Sequence, residues 1–580
     1  MEIRDRPRGP SLLLAALLLA AWTPPTDAQI LFTDVSAAAG VDGDQYHSTT
    51  AHSLGVNWID FDLDGWPDLF AVGGGPDSPP HLFRNAGNGT FEAADDLLPI
   101  LPGSEMSGSV FADYDRDGDP DIFVYTDNWD WRTRGRDNPP DGPRNLLLHN
   151  LWVENGERVN PGQPLFEERA ATAGLEDLAH PPFGPLPAFR TKTAAWLDYD
   201  RDGCIDLYVG HLVMNLVDSD ANRDRLFRNR CDGTFEDVSA ASGLQPGTDP
   251  GTFRPALAAG GFHLDGDLWP DLYVVNVAAL DPQPFPNDLI YRNQGPDGDG
   301  VVRFSEVSGE MPGLGNDAQA GMGIDVADVD LDGDWDLYIT DLLATDLDDA
   351  PLGNVLYLGD GAGGFHDNSA PQAGVIGDDS WGANFFDADL DGWEDLYVST
   401  LSTAVSELFF HNQGTGEAGV SFVNVAASTG IATGNSRGSA VADYDRDGDL
   451  DLAVVNQGAG LQLFRNDTPS SGSWLILDLV GEDSNPDAIG AIVEATVGEV
   501  RHLRQVVGGS SAHSQDELAV HFGLGGATVV DRVRILWPSG TETLLKSVAV
   551  RQRRTIRESH IFADGFETGD LSAWTTSGGG

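Results

Sequence analysis

The sequence DFDLDGWPDL at residues 60–69 decides the fold of this chain, because six variants of it follow. The variants are DYDRDGDPDI at 113–122, DYDRDGCIDL at 198–207, HLDGDLWPDL at 263–272, DVDLDGDWDL at 328–337, DADLDGWEDL at 387–396 and DYDRDGDLDL at 443–452. An apolar run follows every copy, such as DLFAVGG from residue 68 and DLYVGHL from residue 206. A unit that recurs in this way indicates a repeat architecture.

Each copy places carboxylates at alternate positions around a glycine turn, which is the pattern of a calcium-binding loop. Calcium takes about six to eight oxygen ligands, and an EF-hand loop supplies them from positions 1, 3 and 5, a main-chain carbonyl and a closing acid. Here the closing acid stands at position 9. Without metal, two carboxylates in contact repel by about 4 kcal/mol at a surface-like dielectric. We therefore expect about six or seven calcium ions to hold the loops folded.

The predicted ligands are the Asp side chains of the loops and the main-chain carbonyl at position 7. By loop they are Asp60, Asp62, Asp64, Trp66 and Asp68; Asp113, Asp115, Asp117, Asp119 and Asp121; Asp198, Asp200, Asp202, Cys204 and Asp206; Asp265, Asp267 and Asp271; Asp328, Asp330, Asp332, Asp334 and Asp336; Asp387, Asp389, Asp391, Trp393 and Asp395; and Asp443, Asp445, Asp447, Asp449 and Asp451. The fourth copy has His263 at position 1 and Leu268 in place of the glycine, so we expect that site to be weak or empty. Asp-Gly clusters also mark solvated turns, but seven copies at matching offsets favour metal-binding loops.

Composition narrows the possible partners. The chain has 33 basic and 92 acidic residues, for a net charge of −59. Such an acidic balance argues against nucleic acids and anionic membranes as partners. Hydrophobic residues make up 41% of the sequence, which is enough for a large core.

The N-terminus predicts export. Arginines at positions 4, 6 and 8 precede the apolar run LLLAALLLAAW, so residues 1–28 are interpreted as a signal peptide. No other stretch is long and apolar enough to span a bilayer. We therefore expect a secreted or cell-surface protein, in which Cys204 and Cys231 could form a disulfide. Two unpaired buried thiols are the alternative.

Strand patterns surround each loop. A strand precedes it, the Asp-Leu strand follows it, and a third strand (HLFRN from residue 81, RLFRN from residue 225) and a fourth (GTFEDVSAASGL from residue 233) complete the unit. Four-stranded units repeated around an axis are β-propeller blades. The seventh unit lacks its fourth strand, and LFTDVSAAAGV at residues 31–41 matches the missing element. We therefore predict seven blades in a ring that the N-terminal strand closes.

The loops and their flanking strands resemble FG-GAP/VCBS repeats, which form propellers of the integrin α type. SNPDAIGA at 484–491, VVGGSSAHSQDE at 506–517, VHFGLG at 520–525 and WPSG at 537–540 resemble the ASPIC/UnbV module. The combination is similar to the cartilage acidic protein family, known as extracellular calcium-binding proteins. The resemblance implies an all-β chain: a seven-bladed β-propeller over residues 29–468 followed by a small ASPIC/UnbV-like β domain over 469–556. Residues 557–580 are expected to form a flexible tail.

The sequence of the small domain predicts half-exposed strands separated by glycine turns. Its His513, Gln515, Asp516 and His521 could form a metal or acid/base cluster. Alternatively, His521 is a satisfied core histidine and residues 511–515 form a turn, because no second acid or thiolate stands at a metal-ligand spacing.

The sequence contains no catalytic motif of a common enzyme family. An insertion at residues 126–143 carries Trp129, Trp131, Arg132 and Arg134, which suit a ligand-binding loop or, alternatively, a structural lid. We expect a monomeric, non-catalytic adhesion or recognition protein whose partner is an extracellular protein or a glycan. The alternative is a calcium-dependent polysaccharide lyase or hydrolase, since fold does not fix function.

Overall fold

The computed structural model describes most of the chain between residues 29 and 558. The described residues are 29–41, 54–73, 79–99, 106–126, 145–153, 164–175, 191–212, 224–244, 255–277, 288–310, 314, 321–342, 353–360, 364–366, 368–377, 379–401, 407–414, 419–432, 434–458 and 460–558. The predicted signal peptide, residues 1–28, and the tail beyond Glu558 lie outside them, as do Trp129, Trp131, Arg132 and Arg134.

Seven antiparallel sheets follow one another along the chain, and each contains one Asp-rich loop between its first two strands. The strands are β1 (Phe32–Asp34); in blade one β2 (Val56–Ile59), β3 (Asp68–Ala71), β4 (His81–Asn85) and β5 (Phe91–Ala93); in blade two β6 (Met106–Ala112), β7 (Asp121–Thr126), β8 (Leu146–Asn150) and β9 (Phe166–Glu168); in blade three β10 (Thr191–Leu197), β11 (Asp206–His211), β12 (Arg225–Asn229) and β13 (Phe235–Asp237); in blade four β14 (Ala256–Phe262), β15 (Asp271–Asn276), β16 (Leu289–Pro296) and β17 (Val302–Glu306); in blade five β18 (Gly321–Ala327), β19 (Asp336–Asp341) and β20 (Val355–Tyr357); in blade six β21 (Ser380–Phe386), β22 (Asp395–Thr400), β23 (Leu408–Asn412) and β24 (Phe422–Asn424); and in blade seven β25 (Ser436–Ala442), β26 (Asp451–Asn456) and β27 (Gly460–Asn466).

The first strands of the blades contact one another in sequence and close a ring, since β2 contacts both β6 and β25. The first strands and the strands next to them are buried on both faces because neighbouring blades cover them, whereas the short fourth strands expose most of their residues. The predicted closure is confirmed: β1 pairs antiparallel with β27, with Phe32 opposite Asn466. The predicted all-β propeller of seven blades is therefore confirmed.

Two local predictions were wrong. Among its described residues blade five has three strands, and a single bridge between Gly359 and Phe365 stands where a fourth strand was predicted. The glycines of the segment GDGAGGF disfavour a strand there, because glycine loses much backbone entropy when it is ordered. Several predicted fourth strands end after three residues and continue as one helical turn. These turns are α1 (Ser36–Ala39), α2 (Ala170–Ala173) and α4 (Ala426–Thr429). The equivalent turn of blade five, α3 (Ala370–Ala373), follows no fourth strand among the described residues, and a glycine with positive φ follows each of the four turns.

The C-terminal module contains two sheets that enclose a core shared with blades two and three. Its strands are β28 (Trp474–Val480), β29 (Ile492–Val497), β30 (Val500–Gln505), β31 (Val520–Gly523), β32 (Val529–Leu536), β33 (Glu542–Ala549) and β34 (Gln552–Arg557). One sheet has the order β31-β28-β34 and the other β30-β29-β32-β33. The last described residue, Glu558, is buried.

Residues 506–519, which we name the plug loop, connect β30 to β31 and lie along the axis of the ring. Main-chain or side-chain groups of the loop hydrogen-bond to the first strands of six blades, at Val56, Phe111, Trp196, Ile324, Ala383 and Val441. Ala512 lies in a buried apolar cluster with Leu257 of blade four. The module is therefore attached to the ring through its centre.

Within the described part of the chain, none of the helices has the length and apolar character that crossing a membrane requires.

Candidate metal centres

Each Asp-rich loop is a tight hairpin whose main chain folds around the carboxylate at position 1. In the third loop, Asp198 Oδ2 accepts the Gly203 N–H at 3.1 Å and Asp198 Oδ1 accepts the Asp202 N–H at 3.1 Å. The glycine at position 6 has a φ of +86° there, a conformation that a Cβ would strain. Position 4 is also left-handed in six loops although it is Leu or Arg, for example Leu63 at +55°. The loops thus hold backbone strain that their hydrogen bonds must offset.

The carboxylate at position 9 fastens each loop to the third strand of its own blade. In blade two, Asp121 Oδ1 accepts the Asn150 N–H at 2.8 Å, and Asp121 Oδ2 contacts the Tyr114 N–H at 3.4 Å. The equivalent residues are at most 1% exposed in all seven loops. They are Asp68, Asp121, Asp206, Asp271, Asp336, Asp395 and Asp451. The sequence analysis assigned the carboxylate at position 9 to metal binding only. The structure shows that it also fastens the loop to the third strand.

The carboxylate at position 3 points one oxygen into the loop. The buried oxygens Asp200 Oδ1, Asp330 Oδ1, Asp389 Oδ1 and Asp445 Oδ1 accept no hydrogen bond from the residues that the structure describes. In the first loop the same is true of Asp60 Oδ1 at position 1. A buried carboxylate oxygen without a donor is costly, and a cation is the partner that would satisfy it.

The ligand atoms are close enough to share one ion. Carboxylate oxygens of Asp60, Asp62 and Asp68 lie within 4.8 Å of one another, as do those of Asp113, Asp115 and Asp117. In the sixth loop Asp389 and Asp391 form such a group with the imidazole of His411, whereas at the third loop Asp202 is grouped with the disulfide sulfurs of Cys204 and Cys231, which are not metal ligands. The donor set of oxygens therefore fits a hard divalent cation such as calcium.

Burial and mutual repulsion raise the pKa values of the loop carboxyls at position 1. Burial, together with the neighbouring Asp62 and Asp64, raises the pKa of Asp60 to about 7. Burial and the neighbouring Asp202 and Asp200 raise the pKa of Asp198 to about 8. Without a bound cation the loops therefore hold protons near neutral pH, which is the electrostatic signature of a site short of positive charge.

The fourth loop departs from this arrangement. His263 at position 1 is buried, and its Nε2 lies 2.8 Å from the Gly490 carbonyl of the C-terminal module. Burial lowers the pKa of His263, so the neutral ring contributes no charge to bind or repel metal. Asp265 at position 3 pairs with Arg292 at 3.2 Å. His263 thus has a docking contact in place of the carboxylate that the other loops have.

Position 7 connects the loop to the turn after the third strand. The ring of Trp66 packs directly on Gly87, and that of Trp393 packs on Gly414. In blade three Cys204 forms a disulfide with Cys231, whose Cα lies 5.6 Å away. Cys231 occupies the place of those glycines, and its φ is +58°.

An asparagine at the end of the third strand links neighbouring blades, a role that the sequence analysis missed. Six blades carry it and its side chain bonds a carbonyl of another blade: Asn85 to Tyr444, Asn150 to Phe61, Asn229 to Tyr114, Asn293 to Tyr199, Asn412 to Val329 and Asn466 to Ala388. Blade five has Gly359 at this position. The recurring final Asn of strands such as HLFRN was the available signal.

The C-terminal module docks on the face that carries the loops. Asp487 Oδ2 accepts the Asp113 N–H at 2.7 Å, and Arg201 Nε donates to the Pro538 carbonyl at 2.7 Å. His521 Nε2 lies 2.9 Å from the Gly448 carbonyl. The loops are therefore both candidate metal sites and the docking surface of the module.

The four polar residues of the proposed C-terminal cluster have separate partners. His513 packs between the rings of Tyr125 and Trp381, and Gln515 exchanges two hydrogen bonds with the Phe111 main chain. Asp516 accepts the Val441 N–H at 2.7 Å, and His521 is a buried histidine of the docking surface. They fix the module to the ring.

A cavity of about 130 Å³ lies between blades five to seven and the plug loop. Asp325 and Asp516 line it, and they are carboxylates outside the Asp-rich loops. Burial, with Asp516 as neighbour, raises the pKa of Asp325 well above its usual range, and burial raises the pKa of Asp516 to about 6. No local sequence pattern marks this pair, because the two residues are on different domains.

The fold and the loops define a β-propeller with acidic hairpin loops and a docked C-terminal β module. Residues 60–124 match the family model described as FG-GAP-like repeat, and residues 481–561 match the one described as ASPIC and UnbV. Cartilage acidic protein 1 from Mus musculus is 32% identical over 130 residues, which are 22% of this chain and 20% of that protein. The matched stretch thus spans a fifth of the relative's length, and the predicted resemblance is confirmed.

Three solved structures are similar in fold. BBS1N in complex with ARL6DN has a TM-score of 0.39 and 9% identity, over 77% of this chain and 99% of that chain. The rhamnogalacturonan lyase PL11 of Bacillus licheniformis has a TM-score of 0.30 and 13% identity, over 84% and 80%. The exotype rhamnogalacturonan lyase YesX has a TM-score of 0.33 and 12% identity, over 86% and 77%.

Proposed function

We propose that the protein is an exported calcium-binding propeller that acts as a non-catalytic recognition protein. Calcium would be held in six loops by the carboxylates at positions 1, 3, 5 and 9 and by the main-chain carbonyl at position 7. The observation that supports calcium is the buried oxygen at position 3, such as Asp200 Oδ1, which has no donor among the described residues. Each ion would supply the positive charge that the loop lacks and relieve the repulsion among its carboxylates.

The chain offers a matched test of calcium binding. Asp200 pairs with Arg228 at 2.5 Å and Asp265 pairs with Arg292 at 3.2 Å, so both occupy position 3 with an arginine partner. Asp200→Asn should remove one calcium equivalent, measured by equilibrium dialysis and metal analysis. Asp265→Asn, in the fourth loop, should remove none.

Calcium should also stabilise the fold. An ion present at about 100 times its dissociation constant contributes roughly 2.7 kcal/mol per site, so excess chelator should lower the melting temperature steeply. Unchanged melting of protein shown to be metal-free would defeat the proposal.

The recognition role is supported by the way the plug loop is built into the ring. Residues of the same chain occupy the axis where a propeller could admit a ligand, and Gln515 is 1% exposed there. The outer loops on a rigid ring are then the places where a partner would bind. A glycan array and a pull-down of surface proteins, each with and without calcium, should identify a calcium-dependent partner. Absence of binding to every glycan and protein tested would count against this role.

An enzyme acting on acidic polysaccharides is the second candidate, and Asp325 with Asp516 supports it. The two acids line a cavity and their pKa values lie above the usual range, which is the pattern of a general acid or base. Asp516→Asn should abolish turnover of pectic or uronic polysaccharides if this role is correct. If the wild-type protein forms no product in saturating calcium, this activity on those substrates is excluded.

A further inference from the structure

The residue before the interblade asparagine faces the metal loop of its own blade. It is arginine in four blades and histidine in two: Arg84, Arg228, Arg292 and Arg465; and His149 and His411. In blade five, which has Gly359 in place of the asparagine, the equivalent residue is Leu358. In blade three Arg228 donates to Asp200 Oδ2 at 2.5 Å and to Asp202 Oδ2 at 2.6 Å. A guanidinium is always protonated and therefore cannot bind a metal. An imidazole at the same place can bind a metal ion through a ring nitrogen.

The imidazole of His149 lies at ligand separations from two carboxylates. His149 Nδ1 is 3.0 Å from Asp121 Oδ1 and 3.4 Å from Asp115 Oδ2, and its side chain is 0% exposed. The three ligand atoms lie within 4.8 Å of one another. Neighbouring ligands on a zinc ion, at about 2.0–2.2 Å from the metal, are roughly 3 to 3.5 Å apart.

His411 forms the equivalent group in blade six. His411 Nε2 is 3.3 Å from Asp389 Oδ2, and with Asp391 the ligand atoms again lie within 4.8 Å of one another. His411 Nδ1 lies 2.9 Å from the Gln413 side-chain amide. The atom at this distance is Gln413 Nε2, a donor; after a flip of the amide, the carboxamide oxygen would stand there and accept the ring N–H that an imidazole bound to metal through Nε2 retains.

A separate observation indicates that a cation is missing from both loops. Asp389 is 7% exposed, and its Oδ1 accepts no hydrogen bond among the described residues. In blade two, Asp119 is 0% exposed, and its Oδ1 likewise has no donor in the described part of the chain. These buried oxygens lie beside the histidines and need a positive partner.

We propose that the loops of blades two and six bind a divalent transition cation of the zinc class, with His149 and His411 as nitrogen ligands, while the arginine-bearing loops of blades one, three and seven bind calcium alone. Imidazole suits zinc and related ions, whereas an all-oxygen set suits calcium. In the other loops the fixed charge of the guanidinium repels any cation from the place that the imidazole occupies. This inference rests on the proposal that the loops hold metal.

The test uses the full chain, stripped with chelator and then dialysed against millimolar calcium with micromolar zinc. Metal analysis should find one zinc ion for each histidine-bearing loop, in addition to calcium. His149→Gln and His411→Gln should each lose one zinc ion and retain calcium, and Arg228→Gln should lose no zinc. Melting in calcium checks that each variant is folded.

Cobalt(II) provides a measurement on the wild-type protein that does not depend on a buried substitution. Its visible spectrum should show nitrogen ligation that zinc displaces and calcium does not. Calcium retained without zinc, or zinc retained equally by both histidine variants, would overturn the inference and leave the calcium proposal intact. A protein that retains neither ion would overturn both.

Discussion

The side-chain amide of Asn229 donates a hydrogen bond of 2.7 Å to the main-chain carbonyl of Tyr114 in the preceding blade. The same amide donates to the Ile205 carbonyl at 3.0 Å, and Asn229 Oδ1 accepts the Cys231 N–H at 2.9 Å. One buried side chain therefore joins its own Asp-rich loop, the turn after its strand and the Asp-rich loop of the preceding blade. Six such asparagines form a belt around the ring, and the contact between blades four and five lacks one.

Asn229→Ala should destabilise the ring. The substitution leaves two buried carbonyls without a donor, and each unsatisfied buried group costs about 1–3 kcal/mol. Denaturant unfolding in saturating calcium measures the loss. Asn424→Ala is the matched control, because Asn424 is exposed and caps only the Ala426 N–H at 3.1 Å. Equal stability of the two variants would contradict a stabilising role for this belt of asparagines.

Phe32→Ala should weaken the closure of the ring. Phe32 is 2% exposed and its ring lies 5.8 Å from that of Phe409 in blade six. Loss of a buried phenylalanine costs about 3–5 kcal/mol, so the variant should melt lower and aggregate through the unpaired edge of β27. The neighbouring Leu31 is 37% exposed, and Leu31→Ala should leave melting almost unchanged. A soluble Phe32→Ala monomer of unchanged stability would show that β1 contributes little to closure.

Gln515→Ala should loosen the C-terminal module. Gln515 accepts the Phe111 N–H at 2.9 Å and donates to the Phe111 carbonyl at 3.1 Å, so its loss leaves both groups buried and unpaired. We expect faster limited proteolysis of the plug loop and a separate, lower melting transition for the module. Gln294→Ala serves as the control, since Gln294 is an exposed residue of β16. A single unchanged transition in Gln515→Ala would mean that the other plug contacts suffice for docking.

Glu558 should contribute to stability in a pH-dependent way. Burial alone would raise the pKa of Glu558, but hydrogen bonds from Ser539, Thr541 and the 482–484 main chain lower it to about 2. Because the folded-state pKa lies below the unfolded one, this contribution is present above about pH 4.5 and is lost as pH falls towards 2.

The stability difference between wild type and Glu558→Gln should therefore shrink as the pH is lowered from 5 to 2. Hydrogen bonds to a charged group contribute about 1.5–3 kcal/mol each, net of the hydrogen bonds to water that they replace. Urea unfolding at several pH values measures the difference. A difference that stays constant over this range would contradict a charged Glu558 in the folded state.

Several features could be predicted because their causes are local. The Asp-x-Asp-x-Asp-Gly spacing predicts a hairpin loop, since Gly65 and its counterparts adopt a positive φ and the carboxylates bond main-chain groups two to five residues away. The missing fourth strand of blade seven predicted the pairing of β1 with β27. The turn α2 at Ala170–Ala173 was missed although its alanines and Gly174 signalled it, because the strand pattern of the whole repeat took precedence.

Other features depend on partners that no local pattern reveals. Asn229 and Tyr114 are 115 residues apart. The local sequence around either residue predicts only an ordinary strand end. The segment VVGGSSAHSQDE was recognisable as a motif, yet its place on the propeller axis follows from the docking of two domains. The sequence placed Asp516 in a candidate cluster with His513, Gln515 and His521 and did not single out Asp325, and only the fold buries the two acids beside one another.

The sequence by itself determined the number of blades, the seven loops and the closure by β1, because repeat spacing, alternation and turn chemistry act between neighbours along the chain. The tertiary structure alone decided which side chains satisfy the carbonyls between blades and which residues fill the central axis. It also decided that His149 and His411 lie where other blades have arginine beside their loops. Ring closure brings together groups from distant repeats, and desolvation then makes each buried polar atom depend on a partner that only the assembled ring supplies.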